Sequence, residues 1–121
     1  RLVWLQSGAA LRSRLAAGIW VSAYLARLQA AGIPVYVVAR GDETAGAVLV
    51  KLSTLDGQAR AFHRVVDLMT GTRAWDLLAE GAERDVDASI AKQRGFDPDL
   101  WVIEVEDAKG RHLLDEPGLD G

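Results

Sequence analysis

Phe96-Asp97-Pro98-Asp99-Leu100-Trp101-Val102-Ile103-Glu104-Val105-Glu106 is the stretch on which the fold turns. Asp97 and Asp99 flank a proline, which suits a tight turn, because aspartate bonds the backbone two residues on and proline presets its own φ. From Leu100 to Glu106 the side chains alternate. Trp101, Ile103 and Val105 fall on one side and Glu104 with Glu106 on the other, the period of a strand with one face in a core and one in water. The run therefore gathers a rigid turn, a large aromatic and four carboxylates at the start of one strand. It is the best candidate for a fold-defining corner or a functional edge.

Working outward, residues from Ala82 to Arg94 favour helix, with Val86 and Ile90 at i, i+4 spacing and Gly95 placed as a left-handed cap. Before it, the apolar spacing of Thr72 to Leu78 fits either a fourth short strand or a single turn of helix, with the strand preferred. Ala59 to Met69 reads as a third strand with apolar residues on both faces around Val65, Val66 and Leu68, so it is expected at the centre of the sheet. Asp56-Gly57 is the strongest hairpin signal, joining it to a strand over Ala47 to Leu55. Val35 to Ala39 is a β-branched run that ends in the turn Arg40-Gly41-Asp42-Glu43. Ser13 to Ala31 is a helix closed by Gly32 and Pro34. Ala17, Val21, Tyr24 and Leu28 make one face of it, and Leu15, Ile19, Ala23 and Ala26 make a second apolar stripe, so it wants cover on two sides. Arg111 to Leu114 reads as a small hairpin return.

The expected fold is α+β: an N-terminal helix, a three- to four-stranded antiparallel meander, a second helix and a final strand, in a single two-layer domain with the helices on one face. Residues 1–10 read as a loose arm or an added remnant, 11–116 as the domain and 117–121 as a frayed tail.

Half of the residues are apolar and 26% are charged, the balance of a globular chain. There is no cysteine, and two histidines leave little for zinc, so neither a metal nor a cofactor is expected. The net charge of −3, with arginines interspersed, supplies no basic stripe for phosphates, which speaks against nucleic acid. Arg12 and Arg14 before an apolar stretch imitate a targeting signal. The stretch is too short to span a bilayer and is interrupted by Arg27 and Gln29, which points to a cytoplasmic protein without a membrane partner.

Gly41-Asp42-Glu43-Thr44-Ala45-Gly46 has the glycine spacing of a phosphate loop, yet Ala47 and Val48 stand where lysine and a hydroxyl belong, so a hairpin loop is the plainer reading. The order of elements is shared with restriction-endonuclease-like nucleases, whose metal site takes carboxylates and a lysine from neighbouring strands. Asp67, Asp99, Glu104 and Glu106 are the only candidates for such a site, and position 106 is an acid where lysine is wanted. A solvated strand face explains Glu104 and Glu106 without a metal. His63 could be a general base with Asp67, but residues four apart on a strand are about 13 Å apart. No serine elbow is present. Trp20 and Trp101, with Arg27, Arg40 and Arg64, are the candidates for a contact surface, because interfaces favour tryptophan and arginine.

Gly18-Ile19-Trp20-Val21-Ser22-Ala23-Tyr24-Leu25, Arg40-Gly41-Asp42 with Ala45-Gly46-Ala47-Val48-Leu49-Val50-Lys51, and the Phe96 to Glu106 run together resemble the small, largely alphaproteobacterial family known as domain of unknown function 1491. The resemblance covers about Leu11 to Glu116. It implies a bacterial setting and no activity, cofactor or catalytic residue. The sequence thus reads as a non-enzymatic module that self-associates through its two-sided first helix, as a homodimer or larger homo-oligomer, or binds a protein or small polar ligand at the sheet edge near Arg40 and Trp101. The alternative is a metal-dependent phosphodiesterase using the strand carboxylates.

Overall fold

The computed structural model describes residues 16–66, 69–71 and 73–116. Its elements are α1 (Ala17–Ala30), β1 (Val35–Ala39), β2 (Val48–Ser53), β3 (Gln58–Val66), β4 (Arg73–Ala82), α2 (Glu83–Phe96) and β5 (Trp101–Glu106). The α+β class, and the order of helix, strands, helix and final strand, are those expected. No helix among the described residues is long and apolar enough to cross a membrane.

The sheet runs β1-β5-β2-β3-β4, with β5 parallel to β2 and every other pair antiparallel. The strand expected between Thr72 and Leu78 is present as part of β4. The centre, however, is β2 rather than β3. All six β2 residues are buried, and the final strand slots in beside it. That insertion also corrects the loop from Arg40 to Ala47, which is not a hairpin, since β5 lies between the strands it joins.

The layering differs from the expectation as well. Val48, Val50 and Leu52 of β2 and Trp101, Ile103 and Val105 of β5 pack under Trp20, Val21, Tyr24 and Leu28 of α1. Leu49 and Val102, one residue out of phase, meet Val86 and Ile90 of α2 together with Ala59 and Ala61 of β3. Successive strand residues point to opposite faces, so the helices lie on opposite faces and make three layers. Two strands apolar on both sides cannot be covered from one.

Local chemistry sets the helix ends. Gly32, at φ 75°, closes α1 in a Schellman motif, with its N–H donating to Gln29 O and the Ile33 N–H donating to Leu28 O at 2.9 Å. At the other end no side chain caps α1. The Arg40–Ala47 loop does so instead, its Thr44 and Glu43 carbonyls accepting from Ala17 and Gly18 N–H at 3.2 and 2.8 Å. A side chain at Gly41 or Gly46 would run into the Asp99 carbonyl. The glycine spacing that imitates a phosphate loop is therefore a close-packing requirement. Gly95 does not cap α2, which continues to Phe96 with Asp97 at its end. The β2–β3 turn is wider than Asp56-Gly57, because Leu55 joins it at φ 63° and Asp56 Oδ1 accepts from Thr54 Oγ1 and Gln58 N–H. Arg111 to Leu114 forms no strand.

Among the described residues the second apolar stripe of α1 is left largely open. Ile19 is 59% exposed and Ala26 is exposed, while Ala23 packs partly on the core. Leu15 lies outside the described residues.

Candidate functional site

The strand carboxylates do not converge. Asp99 is exposed in the turn before β5. Glu104 faces α2, and Glu106, two residues on, accepts from the Tyr36 hydroxyl at 3.4 Å. Asp67 lies outside the described residues. Among those described, no three histidine, aspartate or glutamate side chains stand where they could hold a metal ion. His63 lies opposite Asp76 in the β3–β4 register.

What the sequence reading missed is the lysine on the neighbouring strand. Lys51 of β2 lies opposite Glu104 of β5 and is 4% exposed. Its Nζ stands 2.7 Å from Glu83 and from Asp87, one turn apart on α2, and 3.4 Å from Glu104. Burial alone would lower the Lys51 pKa. Hydrogen bonds to Asp87 and Glu83 and the charges of Glu104 and Asp87 outweigh it and hold the ammonium above its ordinary value. A cation so held neither abstracts a proton nor attacks as an amine. The available signal was a lone lysine in an apolar strand, which implies a buried charge that must be paired.

A cleft of about 410 Å³ opens on the α1 side of the sheet, next to where Trp20 meets Trp75 of β4; Phe62, Arg64, Arg73, Trp75, His112 and Asp115 are among its walls. The Arg64 guanidinium lies 5.1 Å over the Trp20 ring and 5.5 Å from that of Trp75. The segment after β5 forms the far wall. It is pinned by a two-pronged bond from Arg111 to Asp107, at 2.9 and 3.0 Å, which with the Arg111 backbone N–H pulls the Asp107 carboxyl down to about 2. The buried Tyr24 hydroxyl, its pKa raised by desolvation, donates to His112 O at 2.7 Å. The His112 ring lies 4.8 Å from Phe62, and its Nδ1 accepts from Leu114 N–H. Burial lowers the His112 pKa; nearby Asp115 opposes that and Arg60 adds to it.

The expected contact residues do not form one surface. Trp20 and Trp101 are 0% and 2% exposed, so they are interior and serve as shelves for guanidinium groups. Arg64 lies on Trp20 in the cleft, and Arg40 lies 5.2 Å over Trp101 while bonding Glu43. Arg27 stands apart, half-buried in the last turn of α1. Near Arg40 the sheet ends in β1. Among the described residues β1 pairs with β5 alone, and Tyr36 and Val38 are 52% and 59% exposed. A hollow of about 390 Å³ adjoins them, lined by Val38, Ala91, Arg94 and Glu104 among others.

Residues 15–115 match the family model described as "Protein of unknown function (DUF1491)". The chain is similar to the crystal structure of a DUF1491 family protein from Caulobacter crescentus CB15, with 40% identity over 85% of this chain and 97% of that one, at a TM-score of 0.77. An NMR structure of a DUF1491 family protein from the same organism gives 40% identity over 85% and 94%, at 0.74. The solution structure of protein Atu0922 from A. tumefaciens gives 31% over 77% and 86%, at 0.67. No curated protein matches.

Proposed function

The chain belongs to the DUF1491 family, and we propose that it is a self-associating binding module, not a catalyst, whose docking surface is the β1 edge. The observation that carries this reading is an outer strand, Val-Tyr-Val-Val-Ala over residues 35–39, with Tyr36 and Val38 open to water. Soluble sheets ordinarily blunt such edges with charge or proline, because an exposed apolar edge is a template for another strand. A two-fold copy of an uncharged strand brings no like charges face to face, so antiparallel β1–β1 pairing meets no repulsion.

Metal-dependent phosphodiester cleavage draws less support. Its one strand lysine is locked among three carboxylates, and Asp99 and Glu106 lie elsewhere. A cytoplasmic setting fits the module but rests on the sequence alone.

Light scattering coupled to gel filtration tests the proposal. Wild type is expected to run as a dimer at high concentration and Val38→Lys as a folded monomer. A wild-type monomer at every concentration overturns self-association.

A further inference from the structure

We propose that the cleft beside Arg64 binds a small planar monocarboxylic acid: an aromatic or heteroaromatic ring carrying one carboxylate. At about 410 Å³ it falls within the roughly 300–1,000 Å³ typical of small-molecule sites. Phe62, Trp75 and the His112 imidazole bring three rings to its walls, and flat π surfaces take a flat ligand by offset or edge-on stacking. The polar groups are mainly donors. Because His112 Nδ1 accepts the Leu114 amide, the hydrogen of the neutral imidazole sits on Nε2, so that ring end is a donor too.

Arg64 and Arg73 supply the positive charge. The Arg64 guanidinium carbon lies 5.1 Å from the Trp20 ring centroid and 5.5 Å from that of Trp75, and the group carries five N–H donors in a planar fork. Arg64 can therefore serve a carboxylate alongside the contacts it already has. Asp115, also in the lining, opposes a second negative charge and so favours a monoacid over a diacid. The cleft lies on the sheet face opposite the β1 hollow, so the proposal stands or falls independently of self-association.

Calorimetric titration of the full chain with benzoate, its uncharged isostere benzamide, and acetate tests this site. Benzoate is expected to bind saturably, with benzamide and acetate at least about tenfold weaker, since each lacks either the charge-assisted bonds or the ring. Arg73→Gln is expected to weaken benzoate about tenfold, and Lys109→Gln, away from the cleft, to leave it unchanged. Asp115→Trp, which sets a bulky ring into the cleft from an exposed lining position, is expected to abolish binding and keeps the test informative should Arg73→Gln fail to fold. Benzamide binding as tightly as benzoate, equal losses in Arg73→Gln and Lys109→Gln, or no saturation at millimolar benzoate would each overturn the proposal.

Discussion

Two strand cations, Lys51 under α2 and Arg64 beside α1, show how one sheet uses charge in two ways. Lys51 is sealed and ringed by three carboxylates from α2 and β5. Arg64 rests on tryptophan rings at the mouth of a cleft. An ammonium is a compact charge whose burial demands anions, whereas a guanidinium can be desolvated on one face by an aromatic ring and still present donors in its plane. The first arrangement holds a helix to a sheet. The second sets a cation on aromatic rings in the wall of a cleft.

The largest effect is expected on the Arg64 side. Trp20→Ala removes a fully buried ring that stacks on Tyr24 at 4.9 Å and supports Arg64. It should cost about 3–5 kcal/mol in urea unfolding. Lys51→Ala leaves three carboxylates facing one another. The loss should be roughly 2–3 kcal/mol, below that of a fully buried pair, because Glu83 and Asp87 reach water. If the Lys51 loss exceeded the Trp20 loss, the order of importance of the two regions would reverse. Gly41→Ala forces a methyl group against the Asp99 carbonyl and Trp101, so it should cost about 1–3 kcal/mol by the same assay.

The smallest effect is in pH. The folded His112 pKa lies below its unfolded value of 6.5, so as pH falls below about 6.5 the unfolded chain takes up the proton first. The stability contributed by neutral His112 is present above that pH and is lost toward the lower folded value. His112→Gln should flatten the stability profile between pH 7 and pH 5, and an unchanged slope would remove His112 from the account. Asp107 behaves in the same sense at lower pH. Its contribution is present above the ordinary carboxylate value of 3.8 and is lost as pH falls toward about 2, which Asp107→Asn should abolish.

Much of the element content is legible in the residues. Gly32-Ile33-Pro34 announces the end of α1, the period-2 run after Pro98 announces β5, and the strand before α2 is visible in Arg73 to Leu78. The candidate sites are less so. Glu104 was recognisable as the polar face of a strand, but Lys51 is separated from it by 53 residues, and no local spacing brings the two together. Trp20 and Trp101 looked like surface anchors because tryptophan is common in interfaces, yet packing placed both in the core with the arginines lying over them.

The sequence by itself determined the helices, most of the strands, that Gly32 closes α1, and that no familiar reaction motif is present. Those features depend on neighbours within a few residues. Only the tertiary structure decided that β5 enters between β1 and β2, that the helices lie on opposite faces, and that Lys51 and Arg64 meet such different company. Strand order and helix placement follow from which apolar faces can be covered at once, and that is a property of the assembled sheet.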